Sequence, residues 1–426
     1  MSVTIQSSQS CQTLTDWLCY IEQRHPVHQI ELGLSRIAAV AIRASLAILP
    51  GKKILIGGTN GKGTTARCLE QLLLAQGFST GVYSSPHLLR FNERLRINEQ
   101  DVSDEQWVEA FAFIEQLRQD TELTYFEFTT LASFYILKQA DVDFCLIEVG
   151  LGGRLDATNI IEPDISVITT VDLDHQDFLG NSRELIGYEK AGIFRAARPA
   201  VVGELLVPQS VYDAAAELGC QLSVVNQHYH YQQHEANWSW QGQTQGYQQL
   251  PRSAVPVQNM ATSLTVLEQL GHLPDEATVR QVLPHISLAG RMQWLQQHPA
   301  VIVDVAHNPQ SAQYLAEQLT RLKPHYRKLI AFTGMLKDKD IAGSLLPLTA
   351  LFDKWHLVSL GGARGASAAM LAQVLAECTA PQQQHEDVVV AYSSALSQLQ
   401  QDELLVVFGS FITVSAVLAS YNQEAK

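Results

Sequence analysis

The twelve residues from Ile54 to Thr65, Ile-Leu-Ile-Gly-Gly-Thr-Asn-Gly-Lys-Gly-Thr-Thr, have the types and spacing of a phosphate cradle. An apolar run meets a glycine-rich turn carrying one lysine, and a helical pattern follows. Glycines let backbone N–H groups converge on an anion, the helix N-terminus adds positive potential, and Lys62 adds a full charge. The common pattern G-x-x-x-x-G-K-[ST] is broken twice: Ile56 stands at its first glycine, and Gly63 stands where a hydroxyl should follow the lysine. The hydroxyl comes one residue later, at Thr64. The segment therefore points to nucleotide phosphate, in an unusual subtype.

Such a cradle needs a sheet behind it. Short apolar runs recur at Lys53–Ile56, Phe144–Val149, Ile165–Thr170, Ala200–Gly203, Val301–Val305, Lys328–Phe332, Trp355–Ser359 and Leu404–Phe408, with helical patterns between several of them. Near-continuous apolar runs suit strands buried on both faces, and strand–helix alternation predicts a doubly wound parallel α/β architecture. Ser103-x-x-Gln106 reads as a capping box ahead of one helix. Ligands of open parallel sheets bind at the carboxyl ends of strands. Gly81–Tyr83 runs into Ser84-Ser85-Pro86-His87; Phe144–Val149 carries Glu148 and leads into Gly150–Asp156; the run from Ile165 leads to Asp172-Leu-Asp174-His175; Val301–Val305 carries Asp304 and leads to His307-Asn308. These residues are expected to converge on one edge of the sheets. A hydroxyl, a carboxylate and an imidazole at adjacent strand ends suit a divalent cation beside a triphosphate. The bland alternative makes Glu148 a helix cap and His175 a partner of backbone groups; the upstream cradle favours the cation.

A chain of 426 residues, 46% hydrophobic and 17% charged, holds two or three domains at ~150 residues each, and two suit a compact α/β enzyme. The break at Gly290–Pro299 places the expected division at 1–295 and 296–426. The net charge of −14 argues against a nucleic-acid partner. Six scattered cysteines without a C-x-x-C pair read as reduced thiols of a cytoplasmic protein. No secretory leader stands at the N-terminus, and no apolar run reaches the ~18–20 residues that span a bilayer. Residues 226–250, rich in Gln, His, Tyr and Trp, read as a solvated polar hairpin in which His228, His230 and His234 hold no metal.

Six motifs then fall in one order. Gly58-Thr-Asn-Gly-Lys-Gly-Thr64, Tyr83-Ser-Ser-Pro-His-Leu88, Glu148-Val-Gly-Leu-Gly-Gly-Arg-Leu-Asp-Ala-Thr-Asn159, Asp174-His175, Glu189-Lys-Ala-Gly-Ile-Phe194 and Asp304-Val-Ala-His-Asn-Pro309 together resemble the folylpolyglutamate synthases of the Mur ligase superfamily. The nearest type is the bacterial bifunctional one, with dihydrofolate synthase activity as well. The resemblance spans about residue 12 to Thr413 and implies a P-loop-type central domain followed by a smaller Rossmann-like C-terminal domain. It implies ATP-dependent amide formation: ATP phosphorylates a carboxylate of dihydropteroate or of a reduced folate, and L-glutamate attacks the acyl phosphate.

By the resemblance, Thr59, Asn60, Gly61 and Lys62 hold ATP phosphates, Ser85, Glu148 and His175 hold one Mg²⁺, and Asn259 meets adenine, although Met260 beside it replaces a more usual alanine. Lys190 matches a lysine that this family carbamylates into a ligand for a second Mg²⁺; the sequence alone reads it as a solvated lysine. Arg291, Asp304 and His307 match a set that closes around the nucleotide, with Lys190, His307 and Asp304 as catalytic groups. Gln29, Ile30, Glu31 and Leu32, then Thr124, Tyr125, Phe126 and Glu127, then Leu155, Asp156 and Ala157 match the pterin site. The partners so implied are small molecules, with no nucleic acid and no membrane, and a monomer is expected. The competing readings are a monofunctional folylpolyglutamate synthase, a Mur ligase acting on a UDP-linked precursor, a P-loop switch and an inactive binding module. The UDP-type ligase needs an extra domain before the cradle, where 57 residues stand; the switch needs Ser or Thr after Lys62; the inactive module needs the loss of Lys62, Glu148, His175 or Lys190.

Overall fold

The computed structural model describes residues 8–27 and 29–424. The chain divides into two units, Met1–Ile286 and Ser287–Lys426.

The first unit is built on an eight-stranded sheet in the order β4-β3-β2-β5-β1-β6-β7-β8. Its strands are β1 (Lys52–Gly57), β2 (Thr80–Tyr83), β3 (Leu95–Ile97), β4 (Gln100–Asp101), β5 (Phe144–Glu148), β6 (Ile165–Ile168), β7 (Pro199–Val202) and β8 (Gln221–Val224). β2, β5, β1, β6, β7 and β8 run parallel, while β3 and β4 turn back as an antiparallel edge. β2, β5 and β6 are buried along their whole length, which is why they read as continuous apolar runs. β6 stops two residues before the expected end, although Thr169 N–H still donates to Gly57 O at the end of β1 and Thr170 O accepts from Thr59 N–H in the loop beyond it. The capping box at Ser103 forms as expected, with Ser103 Oγ accepting from Gln106 N–H and Gln106 Oε1 accepting from Ser103 N–H. Cys68 and Cys145 are fully buried, and burial pushes both thiols up to about 12. No helix among the described residues is long and apolar enough to cross a membrane.

The polar hairpin expected over 226–250 is a three-stranded antiparallel sheet: β9 (His230–Gln233), β10 (Asn237–Gln241) and β11 (Gly246–Pro251). It is not solvated on both faces. Trp238, Trp240, Tyr247 and Leu250 join one core cluster with the helix Val257–Gln269, and Trp240 Nε1 donates to Thr265 Oγ1. Only every second residue of Asn237-Trp-Ser-Trp-Gln241 is apolar, so the overall composition hides the buried face.

The second unit carries a six-stranded sheet, β12-β13-β17-β14-β15-β16. These are β12 (Gln293–Gln297), β13 (Ala300–Val303), β14 (Lys328–Thr333), β15 (Lys354–Val358), β16 (Gln382–His385) and β17 (Glu403–Phe408). All pair in parallel except β12, which lies antiparallel on β13. That pairing corrects the expected division at 295/296, which would cut β12 in half. Its Gln-Trp-Leu-Gln-Gln, with three glutamines in five residues, reads as a polar linker until the ladder with β13 is seen.

Candidate active site

The strand order sets β2, β5, β1 and β6 side by side, so the cradle after β1 is flanked by Ser85, Glu148 and His175 at three parallel strand ends. In the cradle, Gly58 has φ +149° and Gly61 has φ +84°. A Cβ on Gly58 would come within 1.9 Å of Thr169 Oγ1, and one on Gly61 within 2.4 Å of Asn259 Nδ2. Only glycine fits these positions. The loop is pinned from β6: Asn60 N–H donates to Thr170 Oγ1 at 2.9 Å, Thr169 Oγ1 donates to Asn60 O at 2.6 Å, and Thr59 Oγ1 donates to Asp172 O at 3.1 Å. The helix Lys62–Leu74 begins at Gly61 with no side-chain cap, which leaves its first amides to an anion. Lys62 Nζ donates to Gly58 O and Thr59 O and lies 3.9 Å from Glu148 Oε1. Asn259, matched by sequence to an adenine contact, reaches the cradle itself: its Nδ2 donates to Gly61 O at 3.1 Å and to Thr65 Oγ1 at 3.0 Å.

Glu148 ends β5 at 6% exposure, opposite Ile56 of β1. His175 follows β6 with φ +51°, and its Nε2 lies 4.0 Å from Asp174 Oδ2. A hydroxyl, a carboxylate and an imidazole form a donor set that fits Mg²⁺. No group of three His, Cys, Asp or Glu that could hold a metal ion stands among the described residues.

Lys190 is not the surface lysine that its sequence context suggests. It lies on the helix Arg183–Ala191 at 3% exposure. Burial, and then the charge of Lys62, pull its amine down to about 7 against the opposing influence of Asp174 and Asp156. These influences tie Lys190 to both the cradle and the His175 loop.

The three segments matched to the pterin site meet through bonds that the sequence does not announce. Gly33 N–H donates to Leu155 O at 3.2 Å, joining Gln29–Leu32 to the loop Leu155–Ala157. Arg36 binds Glu31 at 2.9 Å and Glu127 at 3.3 Å, so this unpredicted arginine links two of the segments. Thr124 and Glu127 form a capping box for the helix Tyr125–Ala140. Asp156 is buried, accepts from Leu151 N–H, Thr158 N–H and Thr158 Oγ1, and has its carboxyl raised by burial. It anchors the glycine-rich loop. Tyr125 is core, while Phe126 stacks on Tyr83 at 6.2 Å and fills the space a Cβ would need at Gly150. His87, on the Ser85 loop, is pulled down to about 4 by burial and then by Arg94, a second arginine missed by sequence reading.

In the second unit, Asp304 is buried, and burial raises its carboxyl while Arg291 opposes. Its two oxygens accept from Met292 N–H and Ala306 N–H, both at 2.8 Å. His307 Nδ1 is 2.8 Å from Val305 O. Phe411 gathers the set: its ring lies 5.2 Å from the Arg291 guanidinium and 6.1 Å from the His307 ring. Phe411 carries no polar group, so no chemical pattern marks it in the sequence.

Two family models match, the Mur ligase middle domain over residues 56–250 and the Mur ligase glutamate ligase domain over 290–411. The dihydrofolate synthase/folylpolyglutamate synthase of Haemophilus influenzae is 44% identical over 421 residues, 94% of this chain and 96% of that protein. The protein of that name from Escherichia coli is 40% identical over 413 residues, 97% of this chain and 96% of that one. Among solved structures, E. coli FolC in complex with DHPP and ADP is similar with TM-score 0.94 at 40% identity, covering 98% of this chain and 99% of that one. A bifunctional folylpolyglutamate synthase/dihydrofolate synthase with Mn, AMPPNP and L-glutamate bound is similar with TM-score 0.90 at 45% identity, covering 98% and 100%.

Proposed function

The chain belongs to the dihydrofolate synthase/folylpolyglutamate synthase family of Mur ligases, and on that premise we propose that it uses ATP to join L-glutamate to dihydropteroate and to the γ-carboxyl of reduced folates. The carrying observation is the near-complete match to bifunctional relatives, one solved with DHPP and ADP, in a chain whose cradle glycines admit no side chain. Thr59, Asn60, Gly61 and Lys62 bind the ATP phosphates. Asn259, Arg291 and Asp304 serve the rest of the nucleotide, and His307 acts beside Asp304. Gln29–Leu32, Thr124–Glu127 and Leu155–Ala157 bind the pterin substrate, a role that fits the bonds joining those segments. Ser85, Glu148 and His175 would hold one Mg²⁺ and a carbamylated Lys190 would hold a second, which would supply neutralisation of phosphate charge. The enzyme works as a cytoplasmic monomer.

Purified protein given ATP, Mg²⁺ and L-glutamate is expected to release ADP with dihydropteroate and, separately, with tetrahydrofolate. ADP release with tetrahydrofolate alone would reduce the function to a monofunctional folylpolyglutamate synthase. ADP release indifferent to glutamate would overturn the ligase assignment.

A further inference from the structure

We propose that Arg94 receives the carboxylate of the acceptor substrate, an inference that rests on the folate ligase activity proposed above. Arg94 closes the turn Phe91–Arg94 ahead of β3 and is 6% exposed. Among the described residues no carboxylate pairs with it. Its neighbour Glu93 is committed elsewhere, accepting from the N–H groups of Leu88, Leu89 and Arg90 at 2.7, 2.9 and 2.7 Å. Glu127 is held by Arg36. Arg94 Nε donates to His87 Nδ1 at 2.9 Å, and the guanidinium lies 5.4 Å from the Phe91 ring and 5.8 Å from the Tyr125 ring. No described acceptor meets either Nη, and neither is sealed from solvent.

A guanidinium keeps its charge at any pH a protein meets, and an ion withdrawn from water without a counter-ion is costly. The missing anion therefore belongs to a ligand. Its place is defined on three sides. Ser84 N–H donates to Arg94 O, which sets Arg94 beside the Ser85 loop; His87 of that loop fixes Nε; and Tyr125 belongs to the segment matched to the pterin site. The two Nη atoms present a planar fork that fits a carboxylate better than a pterin ring edge or a point anion. Dihydropteroate carries a single carboxylate, the one to be activated.

The test compares binding of dihydropteroate and of its carboxamide to full-length wild type, R94Q and R94K, with thermal melts to verify folding. Wild type is expected to prefer the acid by on the order of 10- to 100-fold. R94Q should bind both ligands equally, near the wild-type affinity for the amide, and R94K, which keeps the charge but loses the fork, should fall between. If R94Q melts before the assay temperature, R94K carries the test with the same intermediate preference. Full retention of the acid preference in R94Q, or in R94K where R94Q does not fold, overturns the assignment while leaving the ligase reading intact. Wild type that binds neither ligand overturns the dihydropteroate half of the proposed function, on which the assignment rests.

Discussion

Lys62→Ala is expected to lower glutamate-dependent ADP release by about a thousand-fold, the scale of losing a full cation from a site that stabilises phosphoryl charge. Lys62 opens the helix Lys62–Leu74 and reaches back over its own loop, so its charge sits over the anion position defined by Gly58 and Gly61. Nothing else in the loop is cationic. The variant also removes the cation that lies 3.9 Å from Glu148, a carboxylate only 6% exposed. Some loss of ligand-free stability is therefore expected, on the order of 1–3 kcal/mol. Double replacement with Glu148→Gln should restore part of that stability and none of the activity, which separates folding from catalysis. Steady-state ADP release and urea unfolding measure both; more than a tenth of wild-type turnover in Lys62→Ala would contradict the role.

Lys190→Ala is expected to lower turnover at least about a hundred-fold, with partial recovery in acetate or formate. The chemistry follows from burial. With its amine brought to about 7, Lys190 holds much of its population neutral at neutral pH. A neutral amine can attack CO2: the N–C bond forms, a proton leaves, and a carbamate anion remains. Protonation blocks that attack, so carbamate is favoured as pH rises through 7 and lost as it falls. Activity should drop below pH 7, drop further in CO2-stripped buffer, and return with bicarbonate. A small carboxylate can occupy the space left by Lys190→Ala and supply the missing oxygens. Near-normal activity of Lys190→Ala, or indifference of the wild type to CO2, would show that Lys190 is not carbamylated.

The parts of this enzyme legible in its sequence are those set by local pattern. β1, β5 and β17 are continuous apolar runs, and their ends fall within a residue of expectation. The cradle is legible because glycine chemistry is local, and the strand-end rule puts Ser85, Glu148 and His175 around it. What escaped depends on contacts between segments distant in sequence. Lys190 follows a glutamate on a helix whose mean character is polar, and only packing against the rest of the first unit buries it. Arg36 gains meaning from Glu127, 91 residues away. Arg94 gains it from rings at Phe91 and Tyr125 and from having no paired carboxylate among the described residues. The small sheet β9–β11 shows the same limit: its buried tryptophans alternate with polar residues and disappear into an average.

The cradle's ATP is expected to activate the acceptor carboxylate itself. Dihydropteroate labelled with heavy oxygen in both carboxyl positions tests it directly, with mass spectrometry of the phosphate released in the presence of ATP, Mg²⁺ and L-glutamate. Acyl-phosphate formation moves one labelled oxygen to the phosphorus and leaves the other in the new amide, so each phosphate should carry a single heavy oxygen. Phosphate free of label, formed at the same rate as dihydrofolate, would contradict carboxylate activation at this site.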